Sequence, residues 1–104
     1  MIEKILKASG IKFRETRFPK PPTGCAYAVY MDDVDTDGPD YESRIFHHDI
    51  TVELYSPKPD PTAEAALEAA IKAEGLHYRK QARYWIQEEQ LYQTIYEFSY
   101  IEKI

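Results

Sequence analysis

The stretch Ile45-Phe46-His47-His48-Asp49-Ile50-Thr51-Val52-Glu53-Leu54-Tyr55 decides how the chain folds. Phe46, His48, Ile50, Val52 and Leu54 alternate with His47, Asp49, Thr51 and Glu53. A strand turns successive side chains to opposite faces, so this pattern is a long strand with one mostly apolar face and one polar face. It alternates too regularly for a helix and is too polar for a strand buried on both sides. The Pro-rich segment 56–61 ends it. It is the longest and best patterned strand in the chain, and the centre of a sheet is where it belongs.

The elements around it follow from their own periods. Ile2, Ile5 and Leu6 at i, i+3 and i+4, followed by Gly10, predict a short amphipathic helix that stops at the glycine. Residues 12–18 read as a strand, broken by Pro19, Pro21 and Pro22. Residues 25–31 read as the next strand, with Cys25 as a small buried residue. Residues 32–42 are the most acidic stretch, have no apolar period and are expected to form a loop. Asp60 fits an N-cap and Pro61 the first helical position. Ala63, Ala66, Leu67, Ala70 and Ile71 make the buried stripe of that helix, with Glu68 and Lys72 paired on its wet face and Gly75 as the stop. Residues 76–87 read as one strand, 88–89 as a turn and 91–101 as the last strand. The order α-β-β-β-α-β-β predicts a single α+β domain over 1–104, mostly antiparallel, with helices packed on one face.

At 104 residues and a formal charge of -5, the chain is unlike a nucleic-acid binder, which needs clustered Lys and Arg to displace counterions. The same charge argues against an anionic membrane surface. No apolar run approaches the roughly 20 residues of a membrane span, and the first residues are too charged for a signal peptide. The single cysteine rules out an internal disulfide framework and fits synthesis in a reducing compartment. Nine tyrosines suit strands and surfaces half-buried against another subunit.

Four groups of residues could carry chemistry. Asp33-Val34-Asp35-Thr36-Asp37-Gly38 matches the opening of an EF-hand loop, whose alternate oxygens wrap a hard cation. The closing position holds Arg44 instead of a bidentate Glu, and the flanks read as strands, so a plain acidic loop is the simpler reading. His47 and Asp49 share the polar face of the central strand and could help bind a metal with ligands from elsewhere, but a solvated strand face is the simpler reading. Glu53 is about 20 Å from His47 at about 3.3 Å per residue and cannot share that ion. His48, on the apolar face, reads as a hydrogen-bonded core histidine. Cys25 has no basic neighbour in sequence to activate it. Arg79, Arg83 and Trp85 form a basic-aromatic stripe that could stack on single-stranded nucleic acid, but the overall negative charge favours a surface that meets acidic groups on a partner subunit. No phosphate-binding glycine loop, G-x-S-x-G or C-x-x-C is present.

Several segments taken together carry a resemblance: Tyr27-Ala28-Val29-Tyr30, the acidic loop with Gly38 and Asp40, Asp49 through Glu53-Leu54-Tyr55, the alanine-rich helix to Gly75, Trp85-Ile86, and Gln93-Thr94-Ile95-Tyr96-Glu97-Phe98. Over about residues 27–103 the sequence resembles small tail-completion or tail-terminator (head-tail joining) proteins of siphophages and prophages of Gram-positive bacteria. The shared motifs are structural, and the family supplies no catalytic residues. The resemblance implies a non-enzymatic subunit with no cofactor. It would work as a homohexameric ring that caps the tail tube and meets the head connector, without sequence-specific nucleic-acid or membrane contacts. It also implies assembly in the host cytoplasm and a final place in the virion tail or neck. Asp33, Asp35 and Asp37 on one element and Arg79, Arg83 and Trp85 on another then become candidates for a head-to-tail contact between copies. The alternative class is a small calcium- or metal-binding module, or a metal-dependent enzyme, using the Asp33–Asp37 loop or His47 and Asp49.

Overall fold

The computed structural model describes residues 1–36 and 45–103. Its elements run α1 (Ile2–Ser9), β1 (Lys12–Glu15), β2 (Tyr27–Thr36), β3 (Ile45–Ser56), α2 (Pro61–Ala73), β4 (Arg79–Lys80), β5 (Tyr84–Ile86) and β6 (Leu91–Lys103). They form one six-stranded sheet ordered β1-β2-β3-β6-β4, with β5 also paired to β6. β3, the strand quoted above, lies between the two other long strands, β2 and β6, and pairs antiparallel with both. The sheet is antiparallel throughout except at β1, which runs parallel to β2. The α+β class and the element order are those expected from the sequence.

The core is one layer between the helices and one sheet face. Ala28 and Tyr30 of β2, Ile50, Val52 and Leu54 of β3, and Tyr96 and Phe98 of β6 meet Ile5 and Leu6 of α1 and Leu67 and Ile71 of α2. α1 ends where Gly10 takes φ 75°, a left-handed conformation that glycine adopts without a Cβ penalty. α2 starts where the Asp60 carboxylate accepts from the Ala63 N–H at 3.0 Å, with Pro61 next, where its missing N–H leaves no bond unmade. No described helix is long and apolar enough to cross a membrane.

The structure departs from the sequence reading in several places. β2 does not stop at Met31. It continues to Thr36, with Asp32, Asp33 and Asp35 in the ladder opposite Ile50, Asp49 and His47. A neighbouring strand can hold an acidic segment extended without any apolar period of its own, because the ladder bonds are made by the backbone. The rest of the expected 32–42 loop, from Asp37 on, lies outside the described residues. Residues 76–87 are not one strand: the ladder is made at Arg79–Lys80, breaks, and resumes at Tyr84–Ile86. β1 is shorter than residues 12–18, because Thr16 takes φ 68° and turns the chain out of the extended conformation. Cys25 is exposed, in the Pro- and Gly-containing segment before β2 begins at Tyr27.

Candidate functional site

Alternation along the strands sorts the polar residues onto two faces. On the face away from the helices, Asp33, Asp49 and Ser99 line up across β2, β3 and β6, and Asp35, His47 and Ile101 form the next row. Ser99 donates to Asp49 at 2.6 Å. No ion pair between described residues involves Asp33, Asp35 or Asp49. Like charges directly opposite one another on a ladder repel, so the Asp33–Asp49 pairing disfavours the isolated chain. Asp33 and Asp35 sit in an extended strand, not in a loop turning around a cation. The EF-hand reading fails for these two positions, and Asp37 lies outside the described residues. His47 and Asp49 do share a face, as expected. Among the described residues no group of three or more His, Cys, Asp or Glu is placed to hold a metal ion.

Arg79, Arg83 and Trp85 do not form a stripe. Arg79 stands opposite Glu97 on the face away from the helices and lines a shallow depression with Asp49, His77 and Ser99. Lys80, the next residue, points to the helix side. Arg83 follows it: its Nε donates to Glu64 Oε2 at 2.6 Å, and Lys80 Nζ donates to Glu64 Oε1 at 2.9 Å. Trp85 packs its ring on Tyr92 at 4.8 Å, and its Nε1 donates to Gln87. The break between β4 and β5 separates side chains that strict alternation would keep together. Arg83 is already committed to an acidic group of its own chain.

That acidic group was missed in the sequence, where Glu64 looks like one more polar helix residue. It is 6 % exposed on α2. Burial would raise its pKa, but the hydrogen bonds from Arg83 and Lys80 outweigh this and hold it below its ordinary value. Glu68, one turn on, accepts from Lys80 at 2.8 Å, from the Tyr96 hydroxyl at 2.8 Å and from the Tyr78 hydroxyl at 3.1 Å. It therefore does not make the expected pair with Lys72, which lies over the Tyr78 ring instead.

His48 is the buried polar residue expected on the apolar face of β3. Its Nδ1 is 2.9 Å from both Asp32 oxygens, its Nε2 is 3.0 Å from Glu102 Oε1, and its ring stacks on Tyr100 at 4.5 Å. Both ring nitrogens face carboxylates, so the charged imidazolium satisfies both contacts by donating twice. Burial pulls the His48 pKa down, and the hydrogen bonds to Asp32 and Glu102 more than reverse this, leaving it above 6.5. This is a structural clamp, with every partner inside the sheet.

A second charged surface, not visible as a patch in the sequence, lies at the open edge of β1. Lys7, Ile11, Lys12, Phe13, Arg14 and Phe18 line a groove of about 440 Å³. The Arg14 guanidinium lies over the Phe18 ring at 5.4 Å. Residues 1–20 hold six basic side chains against two acidic ones, whereas the remainder holds seven against sixteen.

No protein-family model matches the chain, and no curated protein matches it in sequence. A solved structure does match it in fold. A chain from the virion of a native gene transfer agent (GTA) particle superposes with a TM-score of 0.62 at 15 % identity, over 96 % of this chain and 84 % of that chain. At that identity the likeness establishes the shared α+β architecture.

Proposed function

We propose that the chain is a non-enzymatic structural subunit of a phage-like particle. In this reading it acts in the tail or neck as a ring-forming tail-terminator or tail-completion protein between the tail tube and the head connector. The observation that carries the proposal is the fold shared along 96 % of the chain with a component of a gene transfer agent virion. Fold alone does not assign function, so the surface must agree with it. Glu64 and His48 clamp the fold from within, while Asp33, Asp35 and Asp49 lie on an open strand surface that suits another protein. The resemblance seen in the sequence supports the finer placement at the tail end.

The test is deletion of the gene in a host that produces the particles, followed by electron microscopy. The expected result is filled heads and free tails that fail to join, or tails of irregular length. Normal joined particles from the deletion strain would contradict the proposal.

A further inference from the structure

We propose that the groove at the open edge of β1 receives the acidic end of the β2–β3 ladder from a second copy of this chain. The inference rests on the reading of the chain as a self-assembling particle subunit and names the contact that this reading needs. Arg83 is already paired with Glu64 within one chain and is less free to supply it.

The two surfaces are opposite in charge. Lys7, Lys12 and Arg14 ring the groove, and no ion pair between described residues neutralises them. Phe13 and Phe18 add apolar lining. At the far end of the sheet, Asp33, Asp35 and Asp49 share one face with Ile101, which is 56 % exposed. The acidic side chains would meet the lysines and Arg14 while Ile101 meets the phenyl rings. The Asp33–Asp49 repulsion inside one copy is relieved when cations of the next copy approach. β1 also ends the sheet, so one side of its backbone has no strand beside it among the described residues.

The geometry makes this contact head-to-tail. β1 pairs with the first half of β2, Tyr27 to Tyr30, whereas the acidic rows lie several residues further along the same strand. At about 3.3 Å per residue the two surfaces are some 15–20 Å apart along the sheet. A copy therefore cannot satisfy its own groove. A contact between two different patches repeats from copy to copy and closes into a ring when the rotation allows.

The test uses two full-length variants, Lys12→Glu/Arg14→Glu and Asp33→Lys/Asp35→Lys, together with the unaltered chain. All four positions are exposed, so both variants should keep the wild-type thermal midpoint. Self-association is followed by sedimentation at low ionic strength. Each variant alone should associate about tenfold or more weakly than wild type, and the two mixed should regain association, because each restores the partner's missing charge. Carbodiimide coupling of mixed isotope-labelled wild-type copies gives an independent readout. It should join Lys7 or Lys12 of one copy to Asp33, Asp35 or Asp49 of another. Unchanged association of both variants, or cross-links confined to other surfaces, would overturn the groove contact while leaving the ring reading intact. A wild-type chain that shows neither association nor inter-copy cross-links at any concentration would overturn both. Retained self-association in the Lys12→Glu/Arg14→Glu variant with loss of binding to a DNA duplex would assign the groove to nucleic acid instead.

Discussion

Among the described residues His48 and Glu64 are the two buried residues whose charge the fold has to manage, and each makes a prediction. The folded-state pKa of His48 is raised, so the folded chain binds that proton more tightly than the unfolded one. The stabilisation is fully present below the unfolded value, near 6.5, and is lost as pH rises through the raised folded value. The groups facing His48 are Asp32 on β2 and Glu102 and Tyr100 on β6. Denaturant unfolding from pH 6 upward should show stability falling across that window in the wild type and a flat profile in His48→Gln. Glu64 has the opposite sign. Its folded pKa is lowered, so its contribution is present above the ordinary value of 4.5 and is lost as pH falls through the folded value. Glu64→Ala removes the shared partner of Lys80 and Arg83, whose side chains are 35 % and 39 % exposed. Water screens those two cations, so the expected loss is about 1–3 kcal/mol, below the range for a fully buried pair, measured by urea denaturation at neutral pH. His48 was legible in the sequence as a hydrogen-bonded core histidine because it interrupts an apolar face. Its partners were not, since Asp32 and Glu102 reach it only through the ladder.

The elements that were legible are those whose period survives in one face. β3 and β6 alternate along their whole length and pack one side on the helices, and α2 carries both its cap and its stripe in sequence. Truncating Leu54 or Leu67 to Ala should cost about 2–5 kcal/mol, because both are 2 % exposed or less in the layer between sheet and helices. Asp60→Ala should cost about 1 kcal/mol through the lost cap, read in the same unfolding experiment. The acidic half of β2 was illegible because its residues are held extended by β3 and need no apolar face. The break between β4 and β5 was illegible for a different reason: regular alternation cannot show that Lys80 and Arg83 reach across to α2. Several tyrosines serve the fold itself. Tyr27 stacks on Tyr55, Tyr78 packs on Tyr96, and Tyr100 covers His48, so much of the aromatic surface is used within one chain. Tyr84, 65 % exposed, remains available to a partner.

As a whole the chain is elongated, about 46 × 27 × 21 Å, with its helices over one face of the sheet. Its charge is divided in the same uneven way, basic at the edge that begins the sheet and acidic along the far rows. That division suits a subunit that assembles with copies of itself. The proposed place of the chain in a phage-like particle is tested by quantitative mass spectrometry of particles purified from the producing strain. Peptides of this chain are expected at a fixed, low ratio to the major tail protein, one ring's worth per particle, unchanged by repeated washing and banding. Particles that join heads to tails normally yet contain none of this chain would contradict it.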